Sequence, residues 1–174
     1  EGYKIAKRRG VFGKSAKRQP VLCLTPVGAL MLSGTVSGEL YVWSGRNCVK
    51  AILAHRGSVN ALFTCAHGVV SGGVDRKVKL WTLALEPGAT FDMSAFGCNP
   101  SVRSVCLSAD GQRMLVGTAG NEVYMVSAAD GSDVQGGPIT TGHYSGAVKG
   151  LAVHPLKPEY ATCGVDGTVR VWDA

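Results

Sequence analysis

Two sets of side chains in this chain of 174 residues have the composition of a catalytic triad. Each contains a histidine, a hydroxyl residue and an aspartate: His55, Ser71 and Asp75 in the first, and His143, Thr162 and Asp166 in the second. In a hydrolase, such a set activates the hydroxyl as a nucleophile. Here the hydroxyl residue and the aspartate lie on a predicted strand and the turn beside it, where no substrate pocket is implied. We therefore expect a structural role for both sets, and no enzyme.

Other patterns that could bind a ligand are incomplete. Residues 13–15, Gly-Lys-Ser, resemble the end of a phosphate-binding loop, but the first glycine of that motif would fall at Arg8. Cys65 and His67 are too close together for a structural zinc pair, and no second pair follows them. We therefore predict neither a metal ion nor a cofactor.

The elements that hold the two sets are copies of one unit. Residues 71–81 and 162–172 each read as a short strand, a tight turn with the aspartate, and a second strand that alternates apolar and polar residues up to a tryptophan. Weaker copies end at Trp43 and Val126, so the unit recurs roughly every 40 to 45 residues. A period of this length, with His, Asp and Trp at fixed offsets, is typical of the four-stranded blades of a propeller.

In these residues the chain resembles the WD-repeat family. In that family a histidine before the first strand of a blade, a Ser or Thr in the second strand, the turn aspartate and the tryptophan of the third strand form a hydrogen-bonded tetrad. The resemblance implies two structural tetrads: His55, Ser71, Asp75 and Trp81, and His143, Thr162, Asp166 and Trp172.

The other two copies lack part of this set. The first keeps Ser33 and Trp43 but has Ser37 in the place of the aspartate. In the third copy the aspartate is replaced by Gly120 and the tryptophan by Val126. We expect packing alone to hold these two blades together.

The segments between the repeats are similar to one subfamily. Residues 10–14, 20–24, 102–105 and 150–155 resemble the echinoderm microtubule-associated protein-like family, whose members carry a tandem propeller. The resemblance implies an all-β fold: a partial WD40-type β-propeller with about four blades of a larger or tandem propeller.

The predicted organisation follows the repeats. Residues 1–19 hold the outer strand of a preceding blade and a basic linker, and the blades occupy residues 20–54, 55–97, 98–140 and 141–174. The last blade lacks its outer strand, and Tyr3 to Ala6 reads as a strand that could complete such an edge. We therefore expect an isolated chain to self-associate through unpaired blade edges.

The net charge of +6 lies entirely in residues 1–19, which hold seven basic residues and one acidic residue. Such a segment attracts polyanions, unless it is only a solvated linker. Nucleic acid is disfavoured because only Tyr3 and Phe12 could stack on bases, and a membrane is disfavoured because the segment has no broad apolar face.

The resemblance implies a non-catalytic protein of the cytoplasm and cytoskeleton that binds microtubules or tubulin and modulates their assembly or organisation. The alternative is a general WD-repeat scaffold that holds other proteins in a signalling or degradation complex. In the family fold, the loop before the first strand and the turn between the second and third strands open on one face. The contact residues implied there are Lys14, Lys17, Arg18, Arg56, Arg76 and Lys77.

Overall fold

The computed structural model describes residues 17–140 and 147–173, which form fourteen β-strands and no helix. The first blade is an antiparallel sheet of β1 (Val21–Val27), β2 (Leu30–Thr35), β3 (Glu39–Ser44) and β4 (Asn47–Leu53). The second blade has β5 (Val59–Cys65), β6 (Gly68–Gly73), β7 (Lys77–Trp81) and β8 (Pro87–Asp92). The third blade has β9 (Val102–Leu107), β10 (Arg113–Thr118) and β11 (Val123–Ser127). The fourth blade has β12 (Val148–Val153), β13 (Glu159–Gly164) and β14 (Val169–Asp173).

The turn between the second and third strands of each blade contains one residue with positive φ. Gly38 and Gly167 fill this position in the first and fourth blades, with φ of 92° and 74°. Asn121 fills it in the third blade with φ of 69°, and Arg76 in the second with φ of 64°. Glycine adopts this conformation freely and asparagine tolerates it, whereas an arginine is held there at a cost. The tight turn predicted from the repeat therefore has one common backbone geometry.

The blades meet through their first strands. β1 contacts β5, β5 contacts β9, and β9 contacts β12. Each later blade begins with a fully buried valine, Val59, Val102 or Val148. Each of these valines packs against a glycine in the second strand of the preceding blade, namely Gly34, Gly72 and Gly117. A separate cluster of apolar side chains fills each of these three junctions. This arrangement confirms the all-β WD40-type propeller predicted from the repeats.

The third blade differs from its expected four strands. Its outer segment makes only isolated bridges, between Val126 and Asp133 and between Val123 and Thr140. Between these bridges lie Gly136, Gly137 and Pro138. Proline cannot donate a hydrogen bond to a ladder and glycine weakens a strand, so the outer strand is not continuous.

The outer edge of the fourth blade is open within the described part of the chain. There, β14 pairs with β13 alone, and the side chains of Val169 and Val171 are 75% and 69% exposed. Tyr3 to Ala6, the strand expected to complete such an edge, lies outside the described residues. The expected self-association therefore stays a prediction.

We expect Gly72→Ala to destabilise the junction of the second and third blades. The added Cβ would lie 2.4 Å from Val102 Cγ1, which is closer than van der Waals contact allows. Overpacking of this kind costs about 1 to 3 kcal/mol in the free energy of unfolding. Urea denaturation measures the loss, and Gly137→Ala is the matched control because nothing lies within 4 Å of its added Cβ. Equal stabilities of the two variants would contradict the proposed packing.

Candidate functional site

The second blade contains a continuous chain of hydrogen bonds. Trp81 Nε1 donates to Ser71 Oγ over 2.9 Å, and Ser71 Oγ lies 2.8 Å from His55 Nε2. His55 Nδ1 lies 2.9 Å from Asp75 Oδ1. His55 and Ser71 are buried, with 2% and 0% of their surface exposed. The structure therefore brings together the four residues that the sequence placed in the first tetrad.

The protonation of His55 follows from its neighbours. Asp75, as a carboxylate, only accepts hydrogen bonds, so His55 Nδ1 donates to it. Burial lowers the pKa of His55, although Asp75 acts in the opposite direction. The imidazole is therefore neutral at neutral pH, and its Nε2 accepts from the Ser71 hydroxyl.

Asp75 also ties two loops together. Its Oδ2 accepts from the backbone amide of Arg56 over 3.0 Å, and its Oδ1 accepts from the backbone amide of Lys77 over 3.3 Å. The aspartate thus joins the loop before β5 to the turn between β6 and β7. Four segments of the blade are connected through one set of buried polar groups, a set that stabilises only when every member is paired.

The order of contacts in this set is that of a Ser-His-Asp catalytic triad, but its environment is different. A catalytic serine needs an exposed oxygen that can reach a substrate carbonyl. Ser71 is completely buried, and its oxygen accepts a hydrogen bond from Trp81. The arrangement is suited to holding strands together.

The fourth blade shows part of the second predicted tetrad. Trp172 Nε1 donates to Thr162 Oγ1 over 2.9 Å. Asp166 accepts from the backbone amide of Thr168 over 3.1 Å and forms an ion pair with Arg170 at 3.5 Å. His143 lies outside the described residues.

The expectation that packing alone holds the first blade was wrong. Trp43 Nε1 donates to Ser33 Oγ over 2.8 Å, so half of the tetrad remains. In addition, the backbone amide of Ser37 donates to Gln19 Oε1 over 3.1 Å, and the Tyr41 hydroxyl donates to Glu39 Oε2 over 2.9 Å. The hydrogen bond from Tyr41 is the largest cause of the lowered pKa of Glu39. The only signal for this network in the sequence was the presence of two polar side chains, Gln19 and Glu39, beside the turn.

The third blade has a smaller polar set of its own. The amide of Gly120 donates to Thr118 Oγ1 over 3.2 Å, and the Thr118 hydroxyl donates to the carbonyl of Glu122 over 3.3 Å. These contacts close the turn without any tetrad residue. Two fully buried valines, Val116 and Val126, fill the positions that a hydroxyl residue and a tryptophan occupy in a tetrad.

Sequence comparison agrees with the geometry. The family described as WD domain, G-beta repeat matches residues 46–82 and 136–173. The chain is 34% identical over its full length to the human protein named echinoderm microtubule-associated protein-like 2, of which it covers 26%. It is 31% identical over 99% of its length to the 77 kDa echinoderm microtubule-associated protein of Lytechinus variegatus, of which it also covers 26%. This chain is a WD-repeat protein that resembles the echinoderm microtubule-associated protein-like family. It spans about a quarter of the length of these two relatives.

Solved structures agree on the fold. The computationally designed Ika4 protein matches with a TM-score of 0.71 at 18% identity, over 95% of this chain and 98% of that one. The designed Ika8 protein matches with the same TM-score at 20% identity, over 94% of this chain and 49% of that one. At this level of identity the likeness concerns the fold alone.

Those predicted contact residues that the structure describes lie at one end of the WD blades. The backbone amide of Val74 donates to the carbonyl of Ser58 over 3.0 Å, so the β6–β7 turn lies beside the loop before β5. This end of the blades, formed by residues 17–19, 36–38, 54–58 and 74–76, is termed the loop face. Arg56 and Arg76 are exposed on it.

Residues 17–19 reach the same face from the first blade. The backbone amide of Lys17 donates to the Tyr41 hydroxyl over 3.2 Å, and the side chain of Gln19 accepts from the Ser37 amide in the β2–β3 turn. The carbonyl of Gly38 in that turn accepts from the amide of His55 over 3.0 Å. Lys17 and Arg18 are exposed beside this contact, whereas Lys14 lies outside the described residues.

A cavity of about 400 Å³ opens beside the tetrad of the second blade. Its lining includes Arg56 and Lys77, and also Lys79, which is not among the predicted contact residues. Lys77 Nζ lies 3.6 Å from Asp92 Oδ2, and the two side chains are 40% and 57% exposed. The signal for Lys79 was its alternation with Lys77 along β7, which gives both lysines the same side of the strand.

Other kinds of site have no support in the described residues. Within them, no group of three or more His, Cys, Asp or Glu side chains could share a metal ion. The same part of the chain has no helix long and apolar enough to cross a membrane.

We expect Asp75→Ala to lower the free energy of unfolding by about 1 to 3 kcal/mol. The change leaves His55 Nδ1 and two backbone amides without their acceptor, and a buried unpaired donor costs about this much. Asp110→Ala is the control, because Asp110 is an exposed turn residue. Chemical denaturation compares the two variants, and equal losses would refute a special role for Asp75.

The stability of the blade should also depend on pH through His55. Its pKa is lowered in the folded chain, so below about pH 6.5 the unfolded chain binds a proton that the folded chain does not. The stabilisation is fully present above that pH and decreases as pH falls towards the folded pKa, by up to about 1.4 kcal/mol per pH unit. Denaturation at pH 7.5, 6.5 and 5.5 should show a steeper decrease for the native chain than for His55→Gln. His67→Gln, at an exposed histidine, should keep the native slope, and identical slopes in all three proteins would contradict this assignment.

Proposed function

We propose that this chain is a non-catalytic binding protein of the cytoplasmic cytoskeleton, which associates with microtubules or tubulin through its loop face and modulates their assembly or organisation. The names of its relatives support microtubule association, and its WD repeats support a role in protein interactions. The buried Ser71 supports the absence of catalysis by the tetrad.

One observation carries this proposal: an aspartate of the tetrad holds the backbone of two basic residues in place through hydrogen bonds. Asp75 accepts a hydrogen bond from the amide of Arg56 in the loop before β5, and another from the amide of Lys77, two residues after the aspartate. Arg76, between Asp75 and Lys77, is held at a φ of 64°. Strained backbone of this kind persists only where the surroundings impose it, and it is found preferentially at functional sites. The loop face therefore presents arginines on a rigid support.

The charge of this face suits an acidic protein surface. Lys17, Arg18, Arg56 and Arg76 are exposed to solvent, and at about 0.15 M salt the screening length is about 8 Å. Only acidic groups in close contact with the face are then attracted, so binding should weaken as salt is raised. Such complementarity mainly accelerates association and sets orientation.

Co-sedimentation with polymerised tubulin tests the proposal. Arg56→Glu combined with Arg76→Glu should remove most of the pelleting at low salt, because it reverses two charges on the loop face. The control is Arg113→Glu combined with Lys157→Glu, which makes the same change in net charge at the opposite ends of the strands. Arg113 begins β10 and Lys157 lies in the β12–β13 turn, and both are exposed. The control should pellet like the native chain.

Three results would overturn the proposal. Unchanged pelleting of the loop-face variant would exclude contact through this face, and equal loss in both variants would show only a dependence on net charge. Absence of pelleting by the native chain at every salt concentration would favour the alternative of a general interaction scaffold.

A further inference from the structure

The four inner strands surround a common cavity of about 280 Å³. It is lined by the second, third and fourth residues of β1, β5, β9 and β12, and is termed the axial cavity. The second residues form one layer: Leu22, Asn60, Arg103 and Lys149. This layer lies towards the loop face, because each inner strand begins at that end of its blade.

The two ends of the axial cavity differ in chemistry. The layer formed by the fourth residues is entirely apolar and consists of Leu24, Leu62, Val105 and Leu151. The layer near the loop face contains two cations on neighbouring strands, Arg103 on β9 and Lys149 on β12. No Asp or Glu of the described residues lines the cavity. The positive charge of Arg103 and Lys149 is therefore not neutralised by an acidic side chain among the described residues that line the cavity.

One nitrogen of the Arg103 side chain also lacks a hydrogen-bond acceptor among the residues that the structure describes. Its Nε is shielded from solvent and has no hydrogen-bond acceptor in the described part of the chain. The hydroxyl oxygen of Ser104, in the next layer, is also buried without a partner there. Unpaired buried polar groups are costly, and two like charges on adjacent strands repel each other. An anion between Arg103 and Lys149 would accept hydrogen bonds from the guanidinium and would reduce the repulsion between the two cations.

We propose that the end of the axial cavity near the loop face binds a small oxyanion, a phosphate or a carboxylate group, between Arg103 and Lys149. The planar guanidinium matches the oxygens of either group with two parallel hydrogen bonds, and the ammonium adds a compact charge. The apolar layer of Leu24 and its neighbours at the other end offers the ligand no hydrogen bond, so the anion is attracted only to the end that holds the two cations. This site does not depend on microtubule binding.

Titration calorimetry with inorganic phosphate on the 174-residue chain at low salt is the test. We expect saturable binding of one phosphate, with roughly tenfold or greater loss of affinity in Arg103→Gln and in Lys149→Gln. Lys50→Gln is the matched control, because Lys50 is an exposed lysine of β4 outside the cavity, and it should bind like the native chain. Leu22→Lys adds a third cation to the same layer and should strengthen binding.

A second titration distinguishes a free anion from one carried on a peptide. Its probe is a capped peptide of six glutamates. Binding of phosphate with the expected losses supports a free anion, and binding of the peptide alone with the same losses supports a carboxylate presented by a chain. Binding of neither probe would overturn the proposal, as would a loss in Lys50→Gln equal to that in Arg103→Gln. Thermal unfolding without ligand verifies that each variant is folded. If Arg103→Gln does not fold, Leu22→Lys still tests the proposal, because it should bind phosphate more tightly than the native chain.

Discussion

The contact between one valine and one glycine at each junction sets how closely neighbouring blades approach. A hydrogen in place of a side chain at Gly34, Gly72 and Gly117 leaves room for the valine that begins the next blade. Because interiors are close-packed, a methyl group at these positions would push the blades apart. The inner strands consequently gather around one cavity, and the side chains beside each valine line it. In the second strand of the fourth blade this position is Cys163, and the glycine, Gly150, lies opposite it in the first strand of the same blade.

The buried polar set of the second blade depends on this packing. His55 and Ser71 are sealed from water, and their hydrogen bonds then join a loop, a turn and two strands. Burial has two effects here: it removes the serine from any substrate, and it makes each bond difficult to exchange for water. The first blade reaches a similar result with Gln19, Ser37 and Glu39. Different residues can therefore fix the same turn, provided that their polar atoms are paired.

Positive charge occurs in two environments. On the loop face, Arg56 and Arg76 are exposed, so water and salt weaken their attraction for an acidic surface. In the axial cavity, Arg103 is partly shielded and its Nε meets no acceptor among the described residues. A charge in such a place attracts a small anion more strongly per contact. Both sites lie at the same end of the blades because every inner strand starts there.

The sequence alone determined the all-β fold and the place of each central hairpin. Alternation along a strand and the residues of a tight turn act over about ten residues, so the stretch from Ser71 to Trp81 was enough to predict one hairpin and its copy. The broken outer strand of the third blade was missed, although Gly136, Gly137 and Pro138 are the local reason for it. Only the tertiary structure decided which side chains share a space. Arg103 and Lys149 belong to strands some 46 residues apart in number, and they meet at one cavity because packing between blades brings those strands to a common axis.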